Sequence, residues 1–142
     1  MDYRIRRDPG ELDSTGYMEI GPGPYDGKHW QVGFIFVWED AFGMAEGILA
    51  KHFPAYDHFS MNNVPKDQGS KVIEEWRCVA GRLADMSVSE VSTALNLAAS
   101  YRSNLDSDVA THTREISLML RELADACHAF YERSESVCVL GM

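Results

Sequence analysis

Over 142 residues the chain is 45% apolar, with six Phe, six Tyr and three Trp, which supplies a core for one domain and excludes disorder along most of its length. Its 22 acidic and 13 basic residues give a net charge of −9, spread as 10 acids against 5 bases in residues 1–60 and 12 against 8 in residues 61–142. The one basic cluster, Arg4, Arg6 and Arg7, is flanked by Asp2, Asp8 and Glu11, so no basic stripe exists to displace counterions and direct nucleic acid binding is disfavoured.

Along the chain, Asp2 to Arg7 alternate, with Tyr3 and Ile5 on one side and Arg4 and Arg6 on the other, as in a half-buried edge strand. Asp8-Pro9-Gly10 predicts a turn. Gly16 to Ile20 predicts a second strand with Met18 and Ile20 on one face and Tyr17 and Glu19 on the other. Gly21-Pro22-Gly23-Pro24 resembles a phosphate loop only superficially, because proline has no N–H to offer a phosphate; a rigid turn is expected. Trp30 to Trp38 predicts the clearest strand, with Trp30, Val32, Phe34, Phe36 and Trp38 on one face. Apolar character on both faces points to a covered position, and the three strands together to an antiparallel meander.

Helical spacing begins with Asp40 as N-cap and continues through Phe42, Ala45, Leu49 and Phe53 to Pro54. Gly43 and Gly47 each cost about 1 kcal/mol of helix propensity against Ala, which predicts close approach of a neighbour, expected to be the sheet. Pro54 to Gly69 is turn-rich yet holds Tyr56, Phe59 and Met61, as in a long loop packed on the body. Val72, Ile73, Trp76, Val79, Ala80 and Leu83 form an amphipathic stripe. Ser87-Val88-Ser89-Glu90 is a capping box opening a helix that carries Val91, Leu95, Ala98 and Tyr101. Val109, Ile116, Leu120, Leu123, Cys127 and Phe130 mark the longest helix. Val137 to Leu140 is apolar and β-branched enough to form a strand, and the sequence leaves open whether it joins the sheet. The expected fold is a single α+β domain over 1–142, a small antiparallel N-terminal sheet covered by about four helices.

The sequence carries no strong catalytic or metal signature. Cys78, Cys127 and Cys138 form no Cys-x-x-Cys pair, and Cys78 and Cys127 fall on apolar helix stripes, which argues against zinc, disulfide or nucleophilic chemistry. His52, Asp57 and His58 are the nearest approach to a metal or catalytic set, but a proline separates the two histidines and nothing enforces convergence. Ser60, His58 and Asp57 are too close in sequence to form a nucleophile–base–orienter line. Glu39 and Asp40 suit the positive end of a helix dipole. No cofactor or metal is expected, and no enzymatic activity. The N-terminus lacks the apolar segment of a signal peptide and the longest apolar run, Val32 to Trp38, is too short to span a membrane; a cytoplasmic protein is expected.

Small size, acidity and a strand-rich start followed by helices, with the Trp30–Leu49 stretch WQVGFIFVWEDAFGMAEGIL as the most distinctive part, resemble the immunity proteins of bacterial polymorphic toxin and contact-dependent growth inhibition systems. The resemblance implies a cytosolic protein that binds and neutralises a cognate protein, commonly a basic nuclease toxin, by occluding its active site. Candidate contacts, where acids and aromatics meet in loops and at a helix start, are Asp26, Glu39, Asp40, Glu46 and Asp57, with Tyr25, Tyr56 and Phe59 as anchors. Two other classes stay open: a small enzyme using the His52–His58 loop, and a component that assembles through the C-terminal helix around Leu120.

Overall fold

The computed structural model describes residues 1–105 and 109–141. It is an α+β fold. Four strands, β1 (Tyr17–Pro22), β2 (Ile35–Trp38), β3 (Met61–Pro65) and β4 (Ser136–Leu140), form one antiparallel sheet in the order β2-β1-β4-β3. Among the described residues five α-helices accompany it: α1 (Glu39–His52), α2 (Lys66–Ala80), α3 (Val88–Ala94), α4 (Ala99–Arg102) and α5 (Val109–Tyr131). Val137 to Leu140 does return to the sheet, and it lies between β1 and β3.

Period-two alternation sorts each strand between two cores. Met18, Ile20, Ile35, Val37, Val64, Val137 and Val139 join the helices in the main core. Tyr17, Phe34, Phe36, Cys138 and Leu140 form a smaller cluster on the opposite face. Helix α1 is buried at five consecutive positions, Ala41 to Ala45, so it is covered on several sides and not along one stripe. Trp76 of α2 ties to it, donating its indole N–H to the Ala45 carbonyl at 3.1 Å. Ile116, Leu120, Leu123, Cys127 and Phe130 of α5 are buried as expected; the Val109 side chain lies outside the described residues. Because Leu120 is fully enclosed within the chain's own core, it offers no surface for assembly. Leu118 is an exposed large apolar residue of that helix.

Several expectations fail for local reasons. Asp2 to Arg7 is not a strand: Arg6 alone bridges to Phe36, while buried Tyr3 reaches across to His112 Nδ1 on α5, 2.8 Å from its hydroxyl. Trp30 to Trp38 is extended only from Ile35, because Trp30 and Gly33 adopt left-handed conformations, φ 56° and 92°. The chain therefore folds back, and the Trp30 ring stacks on Phe36 at 6.0 Å, while Val32 points outward, 91% exposed. β2 is not an inner strand but ends the sheet order, its outer side met by Arg6. The first strands form a hairpin, not a three-stranded meander, and the presumed loop from Pro54 supplies β3 instead.

Helix α1 begins at Glu39, with Trp38 in the cap position and no side-chain cap; Asp40 lies inside the first turn. The glycines of α1 face α4 and the turn after α3, not the sheet. A Cβ on Gly43 would meet the Tyr101 ring at 2.3 Å, and one on Gly47 would meet the carbonyl oxygens of Asn96 and Leu95 at 2.3 and 2.4 Å. The Ser87–Glu90 capping box forms, yet its helix ends at Ala94. Asn96 is left-handed, φ 53°, and its side chain donates to the Gly47 carbonyl at 3.1 Å, so Tyr101 falls on a separate short helix. Asparagine tolerates that conformation better than most residues. Cys78, expected on an apolar stripe, is exposed.

Candidate acidic docking site

Glu39 and Glu46 lie seven residues apart on α1, two turns, and so share one face. The loop after α1 brings His58 back between them. Its Nε2 lies 2.7 Å from Glu39 Oε1 and its Nδ1 2.6 Å from Glu46 Oε2. Tyr56 donates its hydroxyl to the same Glu46 oxygen at 2.8 Å. The Gly43 and Gly47 positions leave room for Tyr101 and the Asn96–Ala98 segment, and a cleft of ≈ 420 Å³ opens between them, lined also by Glu46, Tyr56 and His58.

Burial disfavours the charged imidazole of His58, but the hydrogen-bonded Glu46 and Glu39 carboxylates outweigh it and raise its pKa above the ordinary 6.5. Tyr56 is raised by burial first and then by Glu46. Tyr101 is pushed up to about 12, again by burial and then by Glu46, with Glu39 and Asp40 adding to it. Both nitrogens of His58 are engaged by carboxylates, which leaves neither as a free base for a substrate.

Of the candidate contacts, six gather here: Glu39, Asp40, Glu46, Tyr56, Asp57 and Phe59. Asp40 is exposed in the first turn of α1. Asp57 is exposed too, and its Oδ1 accepts the Phe59 N–H at 3.0 Å. The Phe59 ring stands edge-on to His58 at 4.8 Å and remains 74% exposed. The Lys and Arg ion pairs of the described residues fall elsewhere: Arg4 and Arg6 on Asp2, Lys51 on Glu75, Arg77 on Asp125.

Tyr25 and Asp26 do not join this set. They sit in the loop that covers the smaller cluster on the other face of the sheet, where the Tyr25 hydroxyl meets His29 Nε2 at 2.9 Å and Asp26 Oδ1 accepts from Lys28 N–H and Gln31 Nε2. His52 and His58 also part company, since His52 Nε2 pairs with Glu75 at 2.8 Å. Among the described residues, no group of three or more His, Cys, Asp or Glu could hold a metal ion, and His58 bonds to Glu39 and Glu46, not Ser60.

One residue of this cleft, Tyr101, and one buried acid outside it, Glu19, escape the sequence pattern. Tyr101 fits a helix stripe in sequence, and the Gly43–Gly47 pair signals only that another element approaches α1 closely. Glu19 is buried at 3% exposure on the outer sheet face; a lone acid within a strand gives no hint of its partner.

No family model matches the chain, and neither does any curated protein or solved structure. Among the described residues, no helix is long and apolar enough to cross a membrane.

Proposed function

We propose that the protein is an acidic binding protein that neutralises a basic protein partner, in the manner of an immunity protein seated over a toxin's active site. One observation carries this reading. Glu39, Asp40, Glu46 and Asp57 surround the start of α1 and the following loop, no Lys or Arg among the described residues pairs with them, and Phe59 stands exposed beside them. Exposed carboxylates steer a basic partner and raise its association rate, and an aromatic ring that becomes buried on contact supplies the lasting hold. The doubly engaged His58 favours such a binding role over acid–base catalysis in the adjoining cleft. In this reading the protein acts in the cytoplasm, protecting its own cell.

The test is capture of the partner from the native cell with a tagged chain, followed by expression of the captured protein alone. Growth arrest relieved by co-expression of this chain is the expected result; a harmless partner removes the neutralising role. Reversing Asp40 and Asp57 together to Lys should slow association about tenfold or more at low salt and flatten its salt dependence. Unchanged kinetics would remove this face from the interface.

A further inference from the structure

The two edges of the sheet are finished differently. Beside β2, Arg6 exchanges both backbone bonds with Phe36, Arg6 N–H to the Phe36 carbonyl at 2.9 Å and Phe36 N–H to the Arg6 carbonyl at 2.8 Å, so the chain closes that edge itself. Beside β3 no segment among the described residues does so. Gly141 N–H bonds to the Ser60 carbonyl at 2.9 Å and Lys66 N–H to the Glu135 carbonyl at 3.1 Å. These two bonds set the phase of the antiparallel ladder. The Ser60 carbonyl, the Asn62 and Val64 peptide groups and the Lys66 N–H face β4 and its flanks, and the Met61 and Asn63 peptide groups face outward.

Pro65 has no N–H, and as the N-cap residue of α2 it turns its carbonyl into the first turn of that helix, so the open edge is confined to Met61 and Asn63. The Met61 and Asn63 peptide groups have no backbone partner among the described residues. Their side chains are exposed, as is Phe59 just before them. Proteins commonly guard such an edge with lysines, an inward charge, a bulge or a covering segment. Here Pro65 at one end is the single guard within the strand.

We propose that the open edge of β3 receives an extended strand of the partner, so that recognition proceeds by sheet extension. This deepens the binding role proposed above and rests on it. Donors and acceptors repeating every second residue, about 7 Å apart, match an extended chain and not a helix. Exposed Met61 and Phe59 ask for apolar residues at alternate positions of the incoming strand. Asp57 and Asp67, exposed just before and just after β3, ask for basic residues between them. The occupant is therefore a strand alternating apolar and basic side chains.

A seven-residue peptide alternating valine and lysine is the probe, with amide hydrogen exchange read by NMR. Two further versions carry N-methyl groups on its odd or its even residues, which blocks one set of backbone bonds while keeping the charge. The expected result is fast exchange of the Met61 and Asn63 amides in the free protein, slowed at least tenfold by the peptide. One methylated version should then lose binding while the other retains it. Slow exchange in the free protein, no slowing on addition, or equal binding of both methylated versions each overturns strand addition. The binding role is judged separately with Asp57→Lys and added salt. If protection persists unchanged under both, acidic docking fails while strand addition stands; if both methylated peptides bind and Asp57→Lys abolishes it, the reverse holds.

Discussion

Glu19 Oε2 lies 2.5 Å from His29 Nδ1, so a carboxylate buried in β1 holds down the loop that covers the outer face of the sheet. Its second oxygen accepts the Trp30 N–H at 2.5 Å, at the residue whose left-handed backbone turns the loop over Phe36. Glu19→Ala should release this loop. Hydrogen bonds to charged groups are worth about 1.5–3 kcal/mol each, and losing two should cost a few kcal/mol in urea unfolding. Faster exchange of the Trp30 amide and a red-shifted tryptophan emission are the local signs; a variant with unchanged emission and exchange would show that the loop is held by apolar packing alone.

Gly47→Ala should destabilise more than Gly43→Ala. At Gly47 the obstruction is the backbone of Leu95 and Asn96, which moves only with the whole α3–α4 connection. At Gly43 it is the ring of half-buried Tyr101, which can swing into the cleft. Overpacking costs about 1–3 kcal/mol, and Gly47→Ala should lie at or above the top of that range. Equal midpoints in denaturant would contradict this ordering.

Gly69→Ala sets a Cβ 1.9 Å from the Tyr131 hydroxyl, which donates to the Val64 carbonyl at 2.9 Å and so pins the end of α5 to β3. The substitution should lower stability by about 1–3 kcal/mol and loosen that end of the sheet, with the Val64 and Val137 amides exchanging faster. Tyr131→Phe, which loses the bond without adding bulk, should cost only about 1 kcal/mol.

The His58 cluster makes stability depend on pH. Its folded pKa is raised above the ordinary 6.5, so its contribution is complete below that value and is lost as pH rises through the folded pKa. The stability difference between the protein and His58→Gln should be larger near about pH 6 than near about pH 9. An NMR titration placing the His58 midpoint at or below 6.5 would contradict the geometry.

Thiol labelling separates the cysteines. Cys78 is exposed, whereas burial pushes the Cys127 thiol up to about 12 and the Cys138 thiol up to about 11. One thiol should react with a disulfide reagent in the native protein and the other two only on unfolding.

Much of the secondary structure was legible because it depends on local spacing. The period-two pattern of Tyr17 to Ile20, the apolar stripe from Val72 to Leu83 and the Ser87–Glu90 box all encode their element within a few residues. The failures share one cause. Trp30 to Phe34 alternates like a strand, but Gly33 and the pull of Glu19 on the Trp30 N–H turn it into a cover. Asn62 and Val64 carry the inward positions of β3 in a segment too short and turn-rich to announce itself. For the site, composition indicated acids and aromatics around the start of α1, and six of eight candidates do meet there. Tyr25 and Asp26 could not be told apart from them, because which face of the sheet a loop covers is not written in the loop.

Sequence by itself determined that the fold is α+β, where its main helices run and which residues are apolar enough to fill its core, since those properties follow from patterns spanning a turn of helix or a pair of strand residues. Tertiary structure alone decided that β4 would separate β1 from β3, that His58 would stand between Glu39 and Glu46, and that Arg6 would close one sheet edge while no described segment closes the other. Those outcomes depend on pairings between residues that are distant in the chain, and backbone hydrogen bonds and close approaches at glycine select them only once the helices and sheet have packed together.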